Sequence, residues 1–387
     1  MKRAGLLSFI STLIVILAGL AIGFIVLLVS DAEQALPAFW TMLSHGAGNM
    51  RNVGDVLLGA TPIILTGLSV TFAFKTGLFN IGAAGQFAMG GFVAIYIGVA
   101  FACPYNAINT DGIRECFCEN ASHTYPSSIY LPPVIRILCS IFAAAIAGAV
   151  WGAIPGLLKA FRNVHEVITS IMTNYIGMYL LSYVIRITIF DIGRTTTLLM
   201  PADSNLPSLG FENFFREPLG DAFRSSAVNA GIIIAILTAV LVYIILDKTK
   251  FGYELKACGF NKDAAKYAGI NQNTNIVRSM MICGAIAGIG GALNFMNGTG
   301  LSMTAMPVLA AEGFTGISVA FLGLTNPIGV IFSGIFVSYL FLGGARMQPF
   351  GFSLEVVQIV IAVIIYFCAF VLFVKTNLGK KLFRRKE

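Results

Sequence analysis

The chain has 387 residues, of which 57% are hydrophobic and only 11% charged. A water-soluble domain carries about 25% charged residues, so this composition excludes one and places the chain in a membrane. The net charge of +7 would suggest nucleic acid in a soluble protein, but here the basic residues punctuate apolar runs and read as topology signals.

Met1-Lys2-Arg3 followed by the apolar run from Leu6 to Ser30 has the layout of a signal peptide. The run exceeds the roughly 7–15 residues of such a core, and no small-x-small site closes it, so it reads as an uncleaved first span. Runs able to cross about 30 Å of hydrocarbon as helices recur near 6–30, 54–74, 79–102, 133–158, 165–189, 227–246, 277–297, 306–323, 328–345 and 354–374. The eighth is the weakest and a candidate re-entrant segment. The expectation is one all-α integral membrane domain over 1–387, with about ten transmembrane segments.

The lysines test this map. With both termini cytoplasmic, Lys2, Lys75, Lys159, Lys248, Lys250, Lys256, Lys262, Lys266, Lys375, Lys380, Lys381 and Lys386 all fall inside, and they are every lysine in the chain. One span more or fewer would scatter them. The opposite loops, 103–132 and 190–226, carry Pro, Asn, Ser and acidic residues with arginine but no lysine. Cys103, Cys116 and Cys118 share the first of these; a disulfide or free thiols both fit, whereas three sulfurs beside His123 make a poor metal set. The tail from Lys380 to Lys386 reads as a basic anchor to anionic headgroups.

Polar residues within the spans carry more information. Gly82, Gln86 and Gly90 share a face of the third span, which fits close packing with an interhelical hydrogen bond or contact with a solute. Glu166, Ser170, Thr173 and Asn174 share one face of the fifth, which should turn to the bundle interior or a water-filled path. Asn163 and Glu166 have the spacing of a capping pair, a structural reading of Glu166; Asn174 is the better path candidate. Gly284, Gly288 and Gly291 on the seventh span read as packing, and Asn294 and Asn297 end it. Glu312, Thr315, Gly316 and Gly323 line one side of the eighth, with Glu312 either a gate or site residue or a surface group. The Gly-rich third and eighth segments are candidate equivalents of two internal repeats.

One charged island stands apart. In Gly252 to Ile270, Asn261 is placed to cap a helix of about two turns that Gly269 ends in a left-handed turn. Lys262 and Lys266 share one side of it; Ala264 and Ala268 share another, small enough for a second surface to approach. The element either lies on headgroups or docks into a partner, and its apolar side is too small for strong interfacial binding. No G-x-x-x-x-G-K-[ST] loop or H-E-x-x-H pair occurs, so neither ATP hydrolysis by that route nor metalloprotease chemistry is expected.

Thr61 to Leu68 together with Phe72 to Gly82 resembles the second and third spans of ABC importer permeases for nucleosides and simple sugars, in the broader branched-chain amino acid and ribose permease group. Asn163 to Ile168 with Asn174-Tyr175, the island with Ala264-Ala265-x-Tyr267-Ala268-Gly269-Ile270, and Glu312 to Gly323 are similar to further signatures of that family, in order from about residue 55 to 345. Ala84 departs from the acidic residue usual before the Gly-Gln pair, and the cysteine loop looks like an addition.

The resemblance implies a type II importer-like bundle in a bacterial inner membrane. It implies a homo- or heterodimer of permease subunits, two cytoplasmic ATPase subunits that bind ATP and Mg, and an extracytoplasmic substrate-binding protein. The permease itself would hold no cofactor and no metal and would not be an enzyme. Coupling to the ATPase would fall to loop 247–276, at Glu254, Gly259, Asn261, Ala264, Ala265, Tyr267, Ala268 and Gly269. The solute path would involve Asn80, Gln86, Asn174, Asn294 and Glu312. The rival is an ion-coupled secondary transporter. It needs an intramembrane carboxylate, for which Asp55, Glu166, Glu312 and Glu355 are the candidates.

Overall fold

The computed structural model describes residues 2–102, 107–108, 114–115, 130–219, 222–368, 370 and 374. The three cysteines of the first long loop and the basic tail from Lys380 lie outside them. The described chain is helical, with only short two-stranded hairpins in the loops.

Helix α1 (Lys2–Ser30) ends at Asp31, whose Oδ1 accepts from the Glu33 and Gln34 amides at 3.0 and 3.2 Å and so starts α2 (Ala32–Gly48) at once. Then come α3 (Met50–Lys75), α4 (Ala83–Ala100), α5 (Pro133–Arg162) and α6 (Glu166–Thr188). A single turn, α7 (Phe211–Phe214), precedes α8 (Gly231–Lys248), α9 (Lys250–Phe260) and α10 (Lys262–Tyr267). The chain finishes with α11 (Gln272–Phe295), α12 (Ala311–Leu322), α13 (Pro327–Ala345) and α14 (Leu354–Cys368).

Eight of these helices are long and apolar enough to cross a membrane, and two shorter apolar ones fall where the eighth and tenth spans were expected. Three features differ from expectation. Helix α2 stands between the first two spans; it buries Ala35, Ala38, Met42 and Gly46, and Glu33, Gln34, Pro37, Thr41, Ser44 and His45 interrupt its other apolar residues, Leu36, Phe39, Trp40 and Leu43, so no run there is long enough to read as a span. The segment expected to span 306–323 is helical only over Ala311–Leu322, 12 residues or about 18 Å at 1.5 Å per residue, so it reaches about halfway across a bilayer and the irregular 296–310 must complete the passage for the lysines after α14 to stay on the side of the others. Finally, Asn163 does not cap α6. It ends α5 in the left-handed region at φ 52°, and His165 Nδ1 accepts from the Val167 amide at 3.3 Å instead.

The centre is built from α3, α4, α5 and α11, with α12 and α13 on the other side of α3. Glycine makes these contacts close. A Cβ on Gly152 of α5 would lie 2.5 Å from the Met280 carbonyl oxygen on α11, and Gly148, Gly284 and Gly288 bring the same two helices backbone to backbone. Gly90 sets α4 against Gly288 in the same way. The packing reading of Gly284 and Gly288 therefore holds, and Gly291 does likewise against Phe87. Without a hydrophobic drive between helices in lipid, such dispersion contacts supply the association. Helix α1 packs along α14, where Gly19 and Gly23 meet Ile364.

Candidate functional site

The chain between α11 and α12 is irregular over 296–310, where Gly298 and Gly300 adopt positive φ and Pro307 follows. Irregular backbone at membrane depth must find partners inside the protein. Helix α6 and the loop after it provide them. The Thr197 amide donates to the Met303 carbonyl at 2.8 Å, the Ala305 amide to Thr195 O at 3.1 Å, and Ser182 Oγ to Ala305 O at 2.5 Å. Asn297 does not face a path: its carbonyl accepts from Asn229 Nδ2 at 3.0 Å, and its Oδ1 caps the Thr299 turn.

Between this segment, α4, α6, α11 and the first turn of α12 lies a cavity of about 300 Å³, at the lower end of the roughly 300–1,000 Å³ of small-molecule sites. Asn174, Asn294 and Glu312 border it, and so do Phe295, Ser302 and Thr304. A second cavity of about 270 Å³ runs along α3 and α13 and shares Asn294, Ala311 and Glu312 with the first. Glu312 is thus neither a surface group nor buried in packing; it stands at the junction of two cavities. The segment 296–310 was not singled out from sequence as part of this wall, although Asn297-Gly298-Thr299-Gly300 is a legible break in the apolar pattern.

The amides divide into two sets. Asn80 and Gln86, buried at 0% and 1% exposure, do not reach either cavity. They clasp each other, Asn80 Nδ2 donating to Gln86 Oε1 at 2.7 Å and Gln86 Nε2 to Asn80 Oδ1 at 3.1 Å. Asn80 also donates to Ser69 Oγ at 3.0 Å, whose hydroxyl donates to Cys283 O at 2.7 Å. Asn174 touches the cavity, but its amide is occupied: Nδ2 donates to Ile81 O at 3.0 Å and Oδ1 accepts from the Gly85 amide at 2.9 Å. Asn294 and Glu312 form the other set. Among the described residues neither side chain has a hydrogen bond or ion pair, and both are half-buried. With Ser302 they are side chains of the cavity wall that have no polar partner among the described residues.

The other carboxylates are accounted for. Glu166, on the buried face with Ser170, Thr173 and Asn174, pairs with Lys159 Nζ at 2.9 Å. Asp55 faces Arg51 at 3.6 Å and accepts from Ser226 Oγ at 2.5 Å. Glu355 is exposed.

The island forms a projecting hairpin. Thr249 Oγ1 caps α9 through the Gly252 amide at 3.1 Å. Asn261 ends α9 and caps α10, accepting from the Ala264 amide at 3.0 Å. Gly269, at φ 77°, closes α10, with Ile270 N donating to Ala265 O at 3.0 Å. Ala265 is buried, whereas Ala264 and Ala268 are exposed, as the spacing predicts. Glu254 lies 4.0 Å from Lys250. Phe260 and Tyr267 are 89% and 94% exposed. Gly259 sits against Gly77 of the α3–α4 turn.

A family model described as branched-chain amino acid transport system, permease component, matches residues 52–369. The guanosine ABC transporter permease protein NupP of Bacillus subtilis is 37% identical over 95% of both chains. The nucleoside ABC transporter permease protein NupB of Lactococcus lactis is 31% identical over 95% of this chain and 92% of its own. The glucose ABC transporter permease protein TsgB13 of Haloferax volcanii is 29% identical over 93% and 87%. No solved structure matches the chain. The chain is therefore a multi-pass protein of the plasma membrane and belongs to the family of branched-chain amino acid transport system permease components.

Proposed function

We propose that this chain is the membrane-spanning subunit of an ATP-binding cassette importer and carries a nucleoside. The observation that carries the reading is the end-to-end similarity to a guanosine and a nucleoside permease. The cavity chemistry agrees with it. A nucleoside is an uncharged solute with hydroxyls and a flat ring. Glu312 offers acceptors for hydroxyl protons, Asn294 offers a donor and an acceptor, and Phe295 offers a ring face. The similarity to a glucose permease keeps simple sugars as the second solute class.

The orientation with both termini cytoplasmic follows from the lysine distribution. It puts the hairpin of loop 247–276 beneath the bilayer, where exposed Ala264, Ala268, Tyr267 and Phe260 would dock into an ATPase subunit. Glu254, Gly259, Asn261, Ala265 and Gly269 hold that surface in shape. The motor, ATP and Mg belong to the ATPase pair, and the permease itself holds neither cofactor nor metal. A substrate-binding protein would deliver solute on the opposite side. A second permease chain, identical or related, would complete the path. Tyr175, Tyr179 and Tyr183 support this, since they line an exposed stripe of α6 whose hydroxyls lipid could not satisfy.

Nucleotide-driven closure of the ATPase pair would tilt the spans and switch access. Of the carboxylates an ion-coupled mechanism could use, Asp55 and Glu166 already have partners and Glu355 is exposed, which leaves Glu312 alone; the similarity to ABC transporter permeases favours the nucleotide-driven reading over it. Uptake of radiolabelled guanosine, in cells with and without this chain and with nucleosides and sugars as competitors, tests the reading. Uptake that depends on the chain and is competed by nucleosides supports it. Uptake independent of the chain would overturn it.

A further inference from the structure

The turn between α3 and α4 touches both ends of the machine. At one end, Gly77, at φ 73°, lies against Gly259, and a Cβ on Gly259 would be 2.6 Å from the Thr76 carbonyl carbon. Thr76 Oγ1 is 2.5 Å from Ser279 Oγ on α11, and Asn275 Nδ2 is 3.7 Å from Cys258 Sγ beside it. The turn is thus seated on the C-terminal end of α9, next to Asn261, where the hairpin of α9 and α10 bends. At the other end, Ile81 O and the Gly85 amide hold the Asn174 side chain, and Ala84 is pressed against Gly313, next to Glu312. Ala84, Gly85, Asn174 and Glu312 are all cavity residues. Between the two ends, the Asn80–Gln86 clasp ties the turn to the first helical turn of α4.

A short turn that contacts a moving hairpin by backbone and a cavity wall by backbone transmits displacement only if it is stiff. Two reciprocal amide hydrogen bonds at full burial, with a third bond to Ser69, supply that stiffness. We propose that segment 76–86, locked by Asn80 and Gln86, is the element that carries hairpin motion to the cavity wall at Asn174 and Glu312. This rests on the ABC importer reading. Asn80 and Gln86 are positioning residues in it and touch no solute.

The test uses the complete complex, with ATPase and binding protein, in proteoliposomes. Asn80→Ala with Gln86→Met removes both halves of the clasp while keeping the summed side-chain volume nearly constant, which avoids leaving a lone buried amide. The inference predicts about a tenfold fall in guanosine moved per ATP hydrolysed, with ATP hydrolysis retained within about twofold. An unchanged ratio in an assembled complex overturns the inference. So does failure of the double variant to assemble, because the clasp would then be a fold element. A measurement without substitution stands beside it. Amide exchange across 76–86 in the wild-type complex should change on adding a non-hydrolysable ATP analogue, and no change would overturn the inference. Neither result bears on the importer reading, which stands or falls on wild-type uptake.

Discussion

Gly316 offers the sharpest test of how the half-helix α12 is held. A Cβ there would meet Thr66 Oγ1 at 2.6 Å and the Thr66 carbonyl carbon at 2.7 Å. Thr66 cannot swing away, because its hydroxyl is engaged with the Pro62 and Ile63 carbonyls at 3.1 Å each. Gly316→Ala must therefore move α12 off α3 by about 0.5 Å, enough to forfeit roughly a quarter of each dispersion contact. Over some 40 contacts of about 0.15 kcal/mol each, that is about 1.5 kcal/mol, within the usual ~1–3 kcal/mol for overpacking. Thermal inactivation of the detergent-solubilised protein reads it: Gly316→Ala should lower the midpoint by a few degrees. Gly48→Ala, whose nearest neighbour is 4.0 Å away, should not. Gly67→Ala presses on the same contact through Val319, so the double variant should cost less than the sum of the singles. A Gly316→Ala protein as stable as wild type, or strict additivity with Gly67→Ala, would refute this account of the α3–α12 seam.

Other substitutions separate holding from handling. Asn174→Ala leaves the buried Gly85 amide and Ile81 carbonyl without their partners, and should cost about 2–4 kcal/mol with faster amide exchange at Gly85. Glu312→Gln should leave stability within about 0.5 kcal/mol but weaken uptake several-fold, measured as the apparent KM for guanosine. Asn261→Ala removes the cap of α10, costs about 1 kcal/mol locally, and should reduce co-purification of the ATPase subunit. Ala264→Trp with Ala268→Trp should abolish ATP-driven uptake while membrane insertion remains normal; full uptake in that variant would remove the docking role of α10.

Much of this architecture was legible in the chain itself because lipid imposes a simple rule. Long apolar stretches must be helices, and their ends announce themselves in lysines, caps and glycines. The island was readable for the same reason: Asn261 and Gly269 are unambiguous start and stop signals, and the structure uses both. What the sequence hid was set by tertiary contact. Helix α2 buries Ala35, Ala38, Met42 and Gly46 against its neighbours, but polar residues and Pro37 interrupt its apolar ones, so no run marks it. The shortness of α12 depends on the loop after α6 satisfying the backbone of 296–310. The site was half legible. Asn294 and Glu312 belong to the cavity, but Asn80 and Gln86, equally polar in equally apolar surroundings, satisfy each other. Pattern can find a buried amide; only geometry says whether its hydrogen bonds are already taken.

The central claim is that this chain moves solute only with a borrowed motor. Purified permease, ATPase subunits and binding protein in sealed vesicles, supplied with radiolabelled guanosine, decide it. Transport should require ATP on the hairpin side and should continue when proton and sodium gradients are collapsed. Transport by the permease alone, driven by an imposed ion gradient without nucleotide, would contradict the account.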